Sequence, residues 1–362
     1  MTFNPNQPYN DLPPLPPKAD LETPAILKAA IAANRSLAEL KGFVNVIPNP
    51  QLLIQMLVVQ EAKDSSEIEN IITTRDELYR ALSIESSNVS KETKEVLRYR
   101  EALWDGYSVL KSKGIMNINS LLNIRQILIG TDEGIRKIPG TTLTNDKTGE
   151  TVYTPPVGQD LIREKLSNLE KYMHTENGID DLVRMSVIHY QFEAIHPFSD
   201  GNGRTGRILN VLYLVHKGLL DLPVLYISSY IIQNKSRYYE LLRGVTETGD
   251  WENWIIYILN AVDKTSQETI SRISQLRDTF NEVLDEVKTA LPQVYSKELI
   301  ELLFKRPYCK VGFITDEGIV KRQTAASYLK SLEELGILES VQIGREVLYL
   351  NKRLIGVFSG GE

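Results

Sequence analysis

The sequence lacks three features that would place it in other classes of protein: a set of cysteines, a long apolar run and an excess of basic residues. Its single cysteine, Cys309, excludes an internal disulfide framework and is typical of a reducing compartment. No apolar run approaches the roughly 18 residues of a membrane span, and the first residues lack the basic and apolar regions of a signal peptide. These absences predict a cytoplasmic protein without membrane contact.

The charge balance excludes a generally basic, nucleic-acid-coating protein. Lys and Arg number 41 against 47 Asp and Glu, which gives a net charge of −6. Any DNA contact must therefore come from a local patch. At 362 residues the chain is long for one compact core, so the length predicts two or three domains.

One stretch, residues 195 to 207, combines a base, a carboxylate, an amide, glycines and two arginines in the sequence IHPFSDGNGRTGR. Apolar residues recur at helical spacing before it and after it. They are Leu182, Met185, Phe192, Ile208, Leu209, Leu212 and Val215, and the second series ends at Lys217 and Gly218. The pattern predicts two helices joined by a glycine-containing loop.

The glycines of this loop indicate an anion site. Gly201-Asn202-Gly203 opens directly into a helix, where free backbone N–H groups and the positive end of the helix dipole attract anions. Arg204 and Arg207 lie three residues apart and therefore share one face of the first turn. Two guanidiniums on one face suit a polyphosphate.

Three further side chains in the loop can carry chemistry. Asp200 is a hard oxygen ligand of the kind that holds Mg²⁺. Asn202 is suited to orient a phosphate or the metal. His196 has an ordinary pKa of about 6.5 and can accept a proton from a hydroxyl near neutral pH.

Each part of the stretch has an ordinary structural explanation when taken alone: a core histidine, a turn, a solvated helix face. Together they match, position for position, the Fic motif HPFx(D/E)GNGRxxR, and the chain resembles the Fic-domain protein adenylyltransferases. The resemblance implies a mostly α-helical Fic (Fido) core with a β-hairpin flap. It also implies transfer of AMP from ATP to a Ser, Thr or Tyr hydroxyl of a protein, including the enzyme itself, with release of pyrophosphate.

The resemblance implies a role for each residue of the loop. His196 is the general base, and Asp200 holds Mg²⁺. The anion hole is formed by the amides of Gly201 and Gly203 with Asn202, while Arg204 and Arg207 neutralise the β- and γ-phosphates. The ATP-binding stretch also includes Phe198, expected to face inward as an anchor, and Ser199.

Upstream of the loop, the sequence predicts an arm and a helical region at 21–112. Residues 1–20 are rich in proline, with LPPLPP at 12–17, and are expected to lie extended along the first helices; a PxxP ligand is the alternative. Thr23 and Pro24 begin a helix that ends at Gly42, and a second helix covers about residues 50–62. Thr74 and Glu77 form a capping box.

The segment at about residues 64–71 has two interpretations. Taken alone, it is a solvated helix turn. With a Fic loop downstream, Ser65, Glu69 and Asn70 resemble the inhibitory motif (S/T)xxxE(G/N) in the subclass that carries it before the core. The resemblance implies that Glu69 enters the ATP site, pairs with Arg207 and autoinhibits the enzyme.

A break in helical periodicity predicts a hairpin at about 138–156, within a Fic core at 113–262, with its turn at residues 145–149. The resemblance implies that this flap aligns an extended target segment through Thr151, Val152, Tyr153 and Thr154. Family members often have an arginine near the position of Thr144, so no flap side chain is assigned a role.

A tyrosine pair, Tyr238 and Tyr239, follows the core helices. Such a pair is commonly part of a core, but the resemblance implies nucleotide contact for at least one of the two. Thr246 stands where the family has an asparagine, and Trp254, Ile255 and Ile258 fall at core spacing.

Beyond a predicted connector helix at 263–294, residues 295–362 resemble a winged helix-turn-helix. Its elements are a helix at 296–304, a turn from 315 to 319, a helix from 321 to 335 and a two-stranded wing around Gly344. Arg322, Gln323 and Ser327 would face DNA. Residues 296–355 contain ten Lys and Arg against eight Asp and Glu, which is little charge for binding phosphates. A protein partner or a second copy of the chain is an equal alternative.

Three alternative functions stay open. A Doc-like phosphotransferase would use the same fold, but that branch has a lysine-containing loop in place of Gly201-Asn202-Gly203. A de-AMPylating hydrolase would use the inhibitory glutamate to position a water. A DNA-binding regulator would act through the winged helix.

Overall fold

The computed structural model describes residues 3–45, 50–83, 89–144, 148–343 and 346–359. The chain is mostly helical, with two small antiparallel sheets. It forms two compact units. The first contains the chain up to Gly42, Glu61–Ile71 and Glu95–Gln267, and the second contains Phe43–Gln60, Ile72–Lys94 and the chain from Glu268 onward. Among the described residues, no helix combines the length and apolar character that a membrane crossing requires.

In the described residues up to Ala290, the chain forms eleven helices and two strands and contributes to both units. The helices are α1 (Pro24–Asn45), α2 (Pro50–Ile68), α3 (Arg75–Ala81), α4 (Lys91–Lys113), α5 (Ile118–Ile129), α6 (Gln159–Met173), α7 (Asp181–Ile195), α8 (Asn202–His216), α9 (Ser228–Gln233), α10 (Lys235–Thr248) and α11 (Trp251–Ala290). The strands are β1 (Leu143–Thr144) and β2 (Thr151–Tyr153).

Helices α7 and α8 lie at the centre of the first unit. Almost every residue of both helices is buried, which is the property of a helix surrounded by others. Asp180 caps α7, since its Oδ1 accepts hydrogen bonds from the amides of Leu182 and Val183. The predicted pair of helices and the connecting loop are therefore confirmed, and the loop is held between two rigid elements.

The predicted flap is a short hairpin in which β1 and β2 pair with a bulge between Leu143 and Thr144. Residues 145–147 of its predicted turn lie outside the described residues. The proline-rich arm packs on the flap and on α6 and α7. Leu12 and Leu15 are buried, and the Leu15 amide donates to Asn168. The arm therefore does not simply follow the first helices as predicted.

The second unit ends in the elements predicted for a winged helix. They are α12 (Lys297–Lys305), β3 (Tyr308–Cys309), α13 (Val311–Asp316), α14 (Arg322–Glu334), β4 (Leu338–Ile343), β5 (Glu346–Asn351) and α15 (Lys352–Ser359). The sheet order is β3-β5-β4, all antiparallel. The sequence did not predict β3 or α15, and Thr315 belongs to α13 instead of a turn. Gly344 lies outside the described residues. Arg322, Gln323 and Ser327 are exposed on α14.

Several predicted helix boundaries need correction. Gly42 lies inside α1, and α2 continues beyond residue 62 to Ile68, so no separate inhibitory helix begins at 64. The reason is that Ala62, Asp64, Ser65 and Ser66 are buried, and their packing overrides the polar composition that indicated a break. The predicted connector at 263–294 is likewise not a separate helix, because α11 continues from Trp251 to Ala290 as one helix of 40 residues.

Candidate active site

His196 ends α7 in the left-handed conformation, with φ 48° and ψ 59°. This conformation turns the chain out of the helix and into the loop. Arg136 stabilises this turn with two hydrogen bonds. Its Nε donates to the His196 carbonyl at 2.7 Å, and its backbone amide donates to the Pro197 carbonyl at 3.0 Å. Arg136 was not predicted to take part, because nothing in its local sequence distinguishes it from a surface arginine.

Asn202 and Phe198 fix the shape of the loop. The Asn202 side chain accepts from the Phe198 amide at 2.9 Å and donates to the Phe198 carbonyl at 2.8 Å. Phe198 is 1% exposed, as its predicted role of anchor requires. The Asn202 side chain thus braces the loop through its oxygen and one of its two N–H donors. Its predicted contact with a phosphate or metal stays a prediction. Ser199 lies on the exposed side and donates to Glu133.

His196 is poised as a neutral base. Burial and the positive charge of Arg136 together lower the pKa of the imidazole to about 4, against the opposing effects of Glu69 and Asp200. At neutral pH the ring is therefore unprotonated and able to accept a proton.

This depressed pKa predicts the pH dependence of catalysis. A base must be unprotonated, and with a pKa of about 4 the neutral form persists until the pH falls through that value. We expect the transfer rate of the Glu69→Gly protein to stay level from pH 7 to about pH 5 and to fall below it, with circular dichroism confirming that the protein stays folded. An acid limb centred near 6.5, the value of an ordinary histidine, would contradict this assignment.

The N-terminus of α8 provides the anion site that the sequence predicts. Gly201 precedes the helix with φ 83°, in the left-handed region, and a Cβ there would approach Ile129 Cδ1 to 2.9 Å. Within the described structure, no side chain caps this end. The first amides of α8 are therefore available to an anion at the positive end of the dipole.

Asp200 fits the predicted role of a Mg²⁺ ligand. Its side chain is 66% exposed at the mouth of the loop, and its Oδ1 lies 3.4 Å from Arg204 Nη2. Mg²⁺ is commonly held by one or two carboxylates together with water and phosphate oxygens. An accessible carboxylate beside an anion site has the chemistry needed for a nucleotide-bound metal.

The two arginines of the loop are both buried, but they have different partners. Arg204 Nη1 lies 3.2 Å from Glu95 of α4, a residue that the sequence analysis did not identify. Arg207 Nε donates to Ser65 Oγ at 2.7 Å, and its Nη2 donates to the Ser65 carbonyl and to Glu69 Oε1, each at 2.8 Å. The predicted pairing of Glu69 with Arg207 is thus present in the structure.

The electrostatics of this pair favour two charged groups. Burial acts to raise the pKa of Glu69, but the charge and hydrogen bond of Arg207 outweigh it and hold the pKa below its usual value. The chain turns sharply after α2, because Asn70, directly after Glu69, has φ 60°. This turn brings Glu69 to Arg207. Gly203 is required here as well, because a Cβ at that position would collide with Glu69 Oε1.

A buried network supports the segment that carries Ser65 and Glu69. Glu61 Oε1 accepts from Tyr99 at 2.9 Å and from Ser228 at 2.5 Å. Burial raises the pKa of Glu61 to about 8, so its carboxyl is protonated near neutral pH. These three residues are far apart in sequence and follow no motif, so sequence reasoning could not have connected them.

A cleft of about 800 Å³ opens beside this pair. Its walls come from the turn after α2, the flap, α7 and α10, and they include Glu69, Val152, Glu193, Tyr239 and Thr246. Tyr239 is 45% exposed. Tyr238, in contrast, is 2% exposed and hydrogen-bonded to His189, so it is corrected to a core residue. Thr246 Oγ1 lies 2.9 Å from the Tyr190 hydroxyl.

The flap residues divide between the cleft and the core. Thr151 and Val152 are half-buried, while Tyr153 donates to the Ala194 carbonyl. The Thr154 carbonyl accepts from the Tyr9 amide of the arm at 2.9 Å. That carbonyl is thus already paired within the chain, and the alignment of a target by Thr151 to Thr154 stays a prediction.

A helical core that presents this loop between two buried helices is the architecture of the Fic proteins. Two family models, the Fic/DOC family N-terminal model and the Fic/DOC family model, match residues 27–108 and 115–214, which together are half of the chain. The protein adenylyltransferase SoFic-like C-terminal domain matches residues 279–354. The chain therefore belongs to the Fic/DOC family.

Individual relatives agree with this assignment. A protein adenylyltransferase, fic-1 of Caenorhabditis elegans, is 28% identical over 129 residues, which are 34% of this chain and 24% of that protein. A probable protein adenylyltransferase of Aquifex aeolicus is 36% identical over 98 residues, 26% of this chain and 27% of that protein. The matches therefore span about a quarter of the length of these relatives.

The fold is shared with solved structures. A Fic family protein from Desulfovibrio desulfuricans superposes with a TM-score of 0.57 at 19% identity, covering 91% of this chain and 97% of that chain. Fic-1 of C. elegans superposes with a TM-score of 0.53 at 22% identity, covering 68% and 74%. At these identities the likeness is one of fold.

Proposed function

We propose that this protein transfers AMP from ATP to a hydroxyl side chain of a protein, itself included, and that Glu69 holds it in an inhibited resting state. The observation that carries the proposal is the 2.8 Å ion pair between Glu69 and Arg207, placed directly beside an uncapped helix N-terminus and a neutral histidine. The adenylyltransferase names of the relatives support the same reaction.

In the proposed reaction, His196 accepts the proton of the target hydroxyl as its oxygen attacks the α-phosphate of ATP. The bond to the β-phosphate breaks, and pyrophosphate leaves. The amides at the start of α8 bind the phosphate oxygens, and Arg204 and Arg207 stabilise the charge that develops on the leaving pyrophosphate. Mg²⁺ held by Asp200 and the nucleotide would neutralise further phosphate charge.

The ion pair explains the proposed inhibition. A guanidinium that is hydrogen-bonded to Ser65 and Glu69 is not available to the γ-phosphate. The triphosphate would then bind with its α-phosphate turned away from in-line attack, and the resting enzyme would be slow. Three points stay predictions: the protein target, a second copy of the chain as partner, and the cytoplasmic location.

ATP labelled in parallel at the α- and γ-phosphates tests the reaction class. AMP transfer predicts protein label from the α-phosphate only. Label from the γ-phosphate would show a Doc-like phosphotransferase, and loss of AMP from pre-labelled protein on incubation with wild-type enzyme would show the de-AMPylating alternative. A salt-dependent gel shift tests the DNA-binding alternative for the C-terminal winged helix.

Replacing Arg207 with alanine in the Glu69→Gly protein should lower the transfer rate more than it lowers the affinity for ADP. The reason is that Arg207 is assigned to the γ-phosphate, which ADP lacks. Loss of a charge-assisted hydrogen bond worth about 1.5–3 kcal/mol should lower the transfer rate by about 10- to 100-fold. Calorimetry with ADP and ATP measures the affinities. Arg237→Ala, an exposed arginine of α10, is the control. Equal losses for ADP and ATP would place Arg207 elsewhere.

A further inference from the structure

The proline-rich arm reaches the cleft through Phe3, a residue that the proposed reaction leaves without a role. Phe3 lines the cleft together with Tyr153 of the flap and Tyr239 of α10. The residue is half-buried, so it keeps accessible surface there. An aromatic side chain that borders a cleft of about 800 Å³ is well suited to bind the apolar part of a small ligand.

Hydrogen bonds to the end of the flap hold the arm in place. The Tyr9 amide donates to the Thr154 carbonyl at 2.9 Å, and Thr154 Oγ1 donates to the Pro5 carbonyl at 2.6 Å. The Val157 amide donates to Asn10 Oδ1 at 2.9 Å. Segments near a chain terminus are usually poorly ordered unless they are tied down in this way. These bonds therefore fix the part of the arm that meets the cleft.

Two tyrosines orient the Phe3 ring. A turn closed by a hydrogen bond of 3.1 Å from the Gln7 amide to the Asn4 carbonyl precedes Tyr9. The Phe3 ring packs edge-on against Tyr9, with centroids 5.3 Å apart and planes at 79°, and stacks on Tyr153 at 5.9 Å and 19°. Tyr153 is itself buried and hydrogen-bonded to the last turn of α7. The Phe3 ring thus has a fixed support on the flap side of the cleft.

The cleft adjoins the anion site at the start of α8. Glu69 lines the cleft, and its Oε1 would collide with a Cβ at Gly203 in the first turn of α8. A nucleotide whose phosphates bind the amides of that turn therefore places its nucleoside in the cleft. A purine base is apolar on both faces, and aromatic side chains are suited to pack against them.

We propose that Phe3 is a nucleotide-binding residue whose ring packs against the base of ATP, so that the arm forms one wall of the nucleotide site. The inference rests on the proposed function, in which ATP is the co-substrate. Tyr239, which is 45% exposed, supplies a second aromatic surface from α10. Every base has a π-face, so the contact with Phe3 adds affinity without selecting between purines.

Calorimetry with Mg²⁺-ADP on the full chain tests this contact. Loss of an aromatic ring that stacks on a base should lower the affinity of Phe3→Ala for ADP on the order of 10-fold. Phe3→Tyr keeps the ring and should bind ADP as tightly as wild type. Phe43→Ala is the matched control, because Phe43 is a half-buried phenylalanine of the second unit that contacts Arg277. It should leave the affinity unchanged.

Phe3→Trp gives a measurement that a merely structural role of Phe3 would not change. The indole ring should stack on the bound base, so ADP should change its fluorescence emission. Wild type, with its three tryptophans, supplies the background to be subtracted. Mg²⁺-tripolyphosphate, which has phosphates and no base, should not produce this additional change.

Three results would overturn the assignment of Phe3: an ADP affinity of Phe3→Ala equal to that of wild type, no additional fluorescence change in Phe3→Trp, or the same change with tripolyphosphate. Unchanged ADP affinity together with faster transfer by Phe3→Ala would show that the arm obstructs the protein target instead. These results would leave the proposed AMP transfer intact, provided that wild type binds ADP. Failure of both wild type and Glu69→Gly to bind ADP would contradict the proposed function itself, and the role of Phe3 with it.

Discussion

Replacing Glu69 with glycine should raise self-labelling by α-labelled ATP on the order of 10- to 100-fold, since a hydrogen bond to a charged group is worth about 1.5–3 kcal/mol. The substitution deletes the carboxylate that pairs with Arg207 at 2.8 Å and releases the guanidinium for the γ-phosphate. It also opens the space that Glu69 Oε1 fills beside Gly203. The initial rate of label incorporation at saturating ATP and Mg²⁺ measures the effect.

The chain offers a matched control for this experiment. Glu67 lies in the last turn of α2, two residues before Glu69, and pairs with Lys63 at 2.7 Å. Glu67→Gly removes a neighbouring carboxylate that has a different partner and should leave the labelling rate near that of wild type. If Glu69→Gly labels itself no faster than wild type or than Glu67→Gly, the autoinhibition is refuted, although the assignment of the catalytic loop would survive.

Replacing His196 in the Glu69→Gly protein should abolish the gain, with a loss of about 10²- to 10⁴-fold as expected for removal of a general base. ATP should still bind, because the amides of α8 and the two arginines are left in place. The transfer rate and the affinity for ATP must therefore be measured on the same preparation. A loss in rate with unchanged affinity identifies His196 as the base.

The backbone conformation of His196 makes alanine an unsuitable replacement, and asparagine is the better one. His196 has φ 48°, where alanine is strained and asparagine is tolerated. His196→Asn should therefore keep the shape of the loop and still lack the base. If it retains transfer at a rate near that of Glu69→Gly, or if it loses ATP binding instead of rate, the role of His196 is wrong.

The sequence predicted those parts of the site that are contiguous in the chain. The loop from His196 to Arg207 and the helices on either side of it follow from local patterns. The position of Glu69 and its pairing with Arg207 were implied by the resemblance to the Fic inhibitory motif, and the structure contains that pair. Local patterns succeed here because the loop builds its anion site from its own backbone and from the first turn of the next helix.

The residues that sequence reasoning missed act across the fold. Arg136, Glu95, Glu61 and Glu193 support or line the site from other helices and loops, and none is part of a motif. Tyr238 was misassigned because a tyrosine pair does not reveal which ring faces the core, and burial beside His189 decides it. The length of α2 was misjudged because its polar residues are buried, which composition alone cannot show.

The most direct test of the central claim is the intact mass of the Glu69→Gly protein after incubation with unlabelled ATP and Mg²⁺. AMP transfer controlled by Glu69 predicts a mass increase equal to one or more AMP groups, absent from Glu69→Gly carrying His196→Asn and far smaller in wild type. An increase equal to a phosphate, or an unchanged mass under conditions in which ATP is bound, would contradict it.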